Sequence, residues 1–216
     1  IWDLAHSAGA VPLDIKAINC EFAVGCTYKF LNGGPGSPAF IYVRPDLIKK
    51  CYPILRGWLG HKAPFDFTNT FEKSASIEMM RVGTPPVIQT AILEKALEIF
   101  QDINFNALRE ESLKLSDLFI KMVGQMCPDL HVETPLNSSE RGSQVSFSHP
   151  SGYAIMQALI DRNIVGDFRA PNIIRFGITP LYINEKDIVQ TVKVLEEILS
   201  NRLWDNPTYL NRKKVT

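Results

Sequence analysis

Phe22-Ala23-Val24-Gly25-Cys26-Thr27-Tyr28-Lys29-Phe30-Leu31-Asn32-Gly33-Gly34-Pro35-Gly36 changes character twice within one stretch. The apolar run from Phe22 to Cys26 has the length of a buried strand, and the cluster from Asn32 to Gly36 can form only turn or loop. Lys29 lies between the two. Downstream, Ala39 to Val43 reads as a returning strand. Upstream, Ile1-Trp2 reads as the end of another strand that leads into Asp3, followed by the small-residue loop His6-Ser7-Ala8-Gly9 and a short helical stretch beginning near Pro12. Strand, helix, strand is the unit of a sheet buried on both faces, so the expected class is α/β, with polar side chains gathered where strands end.

A strand needs partners along its edges, and the one at Ile1-Trp2 has no preceding element to supply one. Ile1 is also no initiator Met, so the expectation is a chain that lacks a substantial N-terminal part. Further along, residues 51–83 show no clean period, being broken by Pro53, Gly57, Gly60 and Pro64. Thr84-Pro85 predicts a helix start, with Ile88, Ile92, Ala96 and Ile99 along one face. A second helix is expected from about Ala107 to Met126, with Leu108, Leu115, Phe119 and Met122 inward. Val145 and Phe147 alternate with serines as a strand does. A helix from Tyr153 to Arg162, short strands near Val165 and Ile174, and a last helix from Asp187 to Leu199 capped by Asn184 complete an α+β set. The domain boundary is placed near residue 100, giving domains 1–100 and 101–216.

Composition narrows the function classes. Of the 216 residues, Lys+Arg and Asp+Glu number 23 each, so no charge excess points to nucleic acid or an anionic membrane. No apolar run approaches the roughly 20 residues that a membrane helix needs, and the expected setting is soluble and cytoplasmic. Cys20, Cys26, Cys51 and Cys127 show neither C-x-x-C spacing nor a dense framework, which predicts reduced thiols and no metal site.

The chemistry centres on Lys29. An amine at the end of an apolar strand, partly withdrawn from water, suits covalent catalysis; a lysine that merely ends a strand at the surface is an equally weighted reading of that context alone. Asp3 shifts the balance. It precedes Lys29 by 26 positions, a distance one strand-helix-strand unit spans, so both side chains emerge at one edge of neighbouring strands. A carboxylate so placed can keep a pyridinium nitrogen protonated. Gly33-Gly34-Pro35-Gly36 lacks the Lys-Ser/Thr of a phosphate-binding P-loop and precedes a strand, so it reads as the turn that presents Lys29.

Four blocks together carry a narrower resemblance. Trp2-Asp3-Leu4-Ala5-His6-Ser7-Ala8-Gly9, Cys26 through Gly36, Gly57-Trp58-Leu59-Gly60-His61 and Arg175-Phe176-Gly177-Ile178-Thr179-Pro180-Leu181-Tyr182 resemble kynureninase motifs in family order. The likeness runs through Arg141-Gly142-Ser143 to the tail around Trp204, essentially the whole chain. It implies a fold-type I pyridoxal-phosphate (PLP) enzyme: the C-terminal part of the large, mostly parallel-sheet domain, then a small α+β domain.

By that resemblance Lys29 carries PLP covalently and takes the substrate α-proton, Asp3 meets the pyridine nitrogen, and His6 lies beside the cofactor. Tyr28 is similar to the family tyrosine that contacts the phosphate and transfers protons. Trp58 and Thr84 match residues that reach the phosphate from a neighbouring subunit, implying a homodimer with shared sites; threonine at position 84 resembles the bacterial type. Arg175 matches the arginine that holds the substrate α-carboxylate, a task suited to its planar fork. The implied reaction is hydrolysis of L-kynurenine, or its 3-hydroxy form, to anthranilate or 3-hydroxyanthranilate and L-alanine in tryptophan catabolism. Two alternatives stay open at this stage: a desulfurase-like or aminotransferase-like relative, separable by its products, and a catalytically silent dimerisation fragment, separable by cofactor absorbance.

Overall fold

In the computed structural model, which describes residues 1–212, Trp2–Asp3 (β1) and Phe22–Cys26 (β2) pair in parallel, with Asp3 opposite Val24. Ala39–Val43 (β3) returns antiparallel to β2, giving the order β1-β2-β3. The connection from β1 to β2 is turns, not the expected helix. Asp14 caps the backbone N–H groups of Lys16 and Ala17, but Asn19 at φ 49° breaks the chain out of helical geometry after one turn. After Pro45–Lys50, a 3-10 turn, residues 51–83 are irregular apart from short 3-10 turns at Trp58–Gly60 and Ile77–Met80 and the isolated bridge between His61 and Lys73.

The next helix, Val87–Leu97 (α1), starts later than Thr84-Pro85 predicts. Thr84 and Pro85 each precede a proline, whose ring disfavours helical backbone in the residue before it, so Pro86 is the cap position and no side chain caps the helix. The predicted inward face is also absent: α1 buries none of its residues. Ile99 falls beyond it in a 3-10 turn, Glu98–Phe100.

The chain divides into two compact units, Ile1–Ile103 and Asn104–Thr216. In the second, Phe105–Met126 (α2) is capped by the Asn104 side chain and buries Leu108, Leu115, Phe119 and Val123 along one stripe. Four strands form one antiparallel sheet in the order β4-β5-β7-β6: His131–Val132 (β4), Gln144–Ser148 (β5), Asp167–Arg169 (β6) and Ile173–Gly177 (β7). Val165, expected in a strand, is exposed and precedes β6. Gly152–Ile160 (α3), Glu185–Ser200 (α4) and the short Pro207–Leu210 (α5) complete the unit. Asn184 starts α4 with a full capping box, Asp187 returning the hydrogen bond to the Asn184 backbone. The strands alternate strictly, so Val145, Phe147, Ile174 and Phe176 face a core shared with α2, α3 and α4. At its centre Phe119 meets Phe147 and Phe176 edge to face. Cys127 lies in this core, where burial pushes its thiol up to about 11. All four cysteines are unpaired, and no helix among the described residues is long and apolar enough to cross a membrane.

Candidate functional site

Asp3 ends β1 at the sheet edge toward which β2 also runs, because the two strands are parallel neighbours. Its carboxylate accepts the Ala5 N–H at 2.8 Å and stays exposed. Lys29 follows β2 at the same edge, half-buried in a turn closed by Gly33 N–H to Thr27 carbonyl and Asn32 N–H to Lys29 carbonyl, both 2.9 Å. Asn32, Gly34 and Gly36 all have positive φ, so the chain reverses tightly here and presents Lys29 before it re-enters the sheet. Two contacts join this turn to the loop after Asp3. Cys26 Sγ donates to the Ala5 carbonyl at 3.7 Å. Gly9, at φ 84°, lies so close to the Phe30 carbonyl that a Cβ would sit 2.7 Å from its oxygen. The exposed Tyr28 ring stands 5.5 Å from Lys29 Nζ. His6 sits in the turn after β1 and is exposed. Asp3, His6, Tyr28 and Lys29 are thus collected at one sheet edge.

The irregular segment folds back on itself, bringing the loop of Trp58 against the stretch that precedes Thr84. Gly57 packs on the backbone of Val82 and Gly60 on the carbonyls of Met79 and Arg81, contacts that leave no room for a side chain at either glycine. Trp58, held between them, rests edge-on against Phe65 at 5.7 Å, and exposed Thr84 follows Val82 by two residues. His61 is used locally, its ring bonded to the Ala63 N–H and the Thr70 carbonyl.

Arg175 belongs to the second unit, at the middle of β7 on the face away from the core. Its Nε and Nη2 donate to the two carboxylate oxygens of Asp167 at 2.7 and 2.8 Å. That hydrogen-bonded carboxylate raises the Arg175 guanidinium above its ordinary value, so the side chain is a fixed cation at any working pH. Sequence reading passed over Asp167. Its alternation with Phe168 was visible, but the strand that faces it is a matter of register.

The first unit's edge therefore offers an exposed carboxylate and a half-buried primary amine, groups that suit a basic heteroaromatic cofactor bearing an aldehyde. Among the described residues no group of His, Cys, Asp and Glu converges to hold a metal ion. Residues 108–195 match the family model of the kynureninase C-terminal domain. Over its whole length the chain is 46% identical to kynureninase from Pseudomonas fluorescens and 44% identical to that of Burkholderia mallei, covering 52% of each relative.

Along its whole length the chain is similar to kynureninases.

It spans about half the length of those curated relatives. Solved structures are similar to the chain in fold. A cysteine desulfurase from Thermococcus onnurineus NA1 superposes over 92% of the chain and 52% of its own length, at TM-score 0.77 and 18% identity. An alanine–glyoxylate aminotransferase from Nostoc sp. covers 91% of the chain and 52% of its own length, at TM-score 0.63 and 15% identity. The chain and these neighbours share the fold-type I architecture.

Proposed function

We propose that this chain is the part of a PLP-dependent kynureninase that carries the cofactor and holds the substrate carboxylate. The whole enzyme hydrolyses L-kynurenine or 3-hydroxykynurenine to anthranilate or 3-hydroxyanthranilate and L-alanine, as a cytoplasmic homodimer in tryptophan catabolism; the isolated chain is nearly inactive. The observation that carries this reading is the identity of 44–46% across the full chain to kynureninases. The desulfurase and aminotransferase neighbours lie at 18% and 15% and lend the fold only.

PLP, when bound, supplies an electron sink that stabilises the electron pair left at the substrate α-carbon. Residues 1–100 belong in this reading to the large PLP domain and 101–216 to the small one. Asp3, exposed and acceptor-only, holds the proton on the pyridine nitrogen. Lys29 Nζ would hold the cofactor covalently and, released when the substrate amine takes its place, would accept the proton from the substrate α-carbon. His6 lies beside the ring. Trp58 and Thr84 serve the phosphate of the neighbouring subunit's site. Arg175 holds the α-carboxylate, which fixes the orientation of the scissile Cβ–Cγ bond. Tyr28 Oη carries protons while water adds at the γ-carbonyl and the Cβ–Cγ bond breaks.

In a full-length enzyme with these residues, borohydride reduction should fix a pyridoxyl group on the peptide containing Lys29, read by mass spectrometry, and Lys29→Ala should lose both label and turnover. Tyr28→Phe should keep the label and lose about a hundredfold or more in kcat. A label on any other lysine, or full turnover by Lys29→Ala, removes the assignment.

A further inference from the structure

The polar face of the second unit's sheet carries Asp167, Arg169 and Arg175 together. Register places Asp167 of β6 directly opposite Arg175 of β7, while Phe168, Ile174 and Phe176 point the other way into the core. The two hydrogen bonds to Asp167 both use one long edge of the guanidinium, Nε and Nη2. Nη1 and the second N–H of Nη2 lie along the adjoining end edge, and Nη1 makes no hydrogen bond among the described residues. Arg169 Nη2 also approaches Asp167, at 3.4 Å. One carboxylate between two guanidinium groups leaves the trio net positive, so the face still attracts an anion.

The side chains of Arg175 and Asp167 are 23% and 34% exposed, so the pair is open enough for a ligand to reach it. What the pair does accomplish is immobilisation: an arginine gives up much rotamer freedom when it clamps a ligand, and here that cost is met before a ligand arrives.

We propose that Asp167 is the positioning residue of the carboxylate clamp, pinning the long edge of Arg175 so that only its Nη1–Nη2 edge is presented and a single planar carboxylate is taken end-on. The proposal rests on the reading that Arg175 binds the substrate carboxylate, and deepens it.

The test is steady-state kinetics on L-kynurenine, with inhibition by L-alanine as a second probe of the same carboxylate subsite, in a full-length enzyme bearing these residues. Asp167→Ala should raise KM and the L-alanine inhibition constant together, about tenfold, with kcat changed by less than about twofold. Asp167→Asn, which keeps one acceptor and the side chain's shape, should give a smaller rise and keeps the test readable if alanine disturbs the strand pair. Because Asp167 acts through Arg175, Asp167→Ala should add nothing in an Arg175→Ala background. If Arg175→Ala raises KM but Asp167→Ala leaves it unchanged or lowers it, or if the two effects are additive, the positioning role falls and the clamp stands. If Arg175→Ala itself leaves KM unchanged, the clamp reading fails instead.

Discussion

In the second unit Phe119, Phe147 and Phe176 meet edge to face, and β5, β7, α2, α3 and α4 all contribute side chains to one continuous core. In the first unit the buried cluster is Leu4, Cys20 and Ala23, with Ala8, Ile15, Phe40 and Tyr42 leaning on it, while Ile54, Phe67, Val87 and Ile88 are 96%, 85%, 68% and 73% exposed. Both units are rich in apolar residues. They differ in whether the elements present supply a second surface for each apolar face. Four strands with helices on one side close a layer pair; three short strands and one helix do not. The sheet that bears Arg175 is backed by this core, while the edge that bears Asp3 and Lys29 is built on a scaffold with little core of its own.

The most forceful way to break this comparison is to express the units apart. Residues 104–216 should unfold in a single cooperative thermal transition, and residues 1–103 should show no cooperative transition and aggregate, as exposed apolar surface and strand edges favour. A sharp melt from residues 1–103 would overturn the contrast. Truncations within each core come next in size. Phe147→Ala removes a fully buried ring from the second unit and should cost about 3–5 kcal/mol by denaturant unfolding. Phe40→Ala in β3 removes a half-buried ring and should cost only about 1 kcal/mol. Equal losses would mean that the first unit is packed as tightly as the second. The smallest effect concerns helix starts. Asn184→Ala deletes a capping box and should cost about 1 kcal/mol. Thr84→Ala, at a position that caps nothing, should stay within about 0.5 kcal/mol.

Much of the second unit was legible in advance, since α2, β5 and α4 each bury one periodic face against a single core, and a periodic face shows in sequence. Asn184 was legible as a cap for a related reason, its partners lying within the next three residues. The sharp turn around Lys29 could likewise be read from its own glycines and prolines, because backbone conformation there is fixed by the residues themselves. Where reading failed, a local rule met a competitor. Pro86 overrode the helix start at Thr84, Asn19 ended the turn after Pro12, and the face of α1 that looked inward met no surface to cover it.

By itself, then, the sequence determined the strand that leads to Lys29, the spacing from Asp3 that allows both at one sheet edge, and the family that the motifs resemble. Only the tertiary structure decided that Gly9 docks the Asp3 loop against Phe30, that Gly57 and Gly60 draw Trp58 toward the segment before Thr84, and that Asp167 grips Arg175. The reason is range. Periodicity, caps and turns act over a few residues and are written in consecutive letters, whereas strand register and close backbone approach join distant ones, and no single letter names its partner.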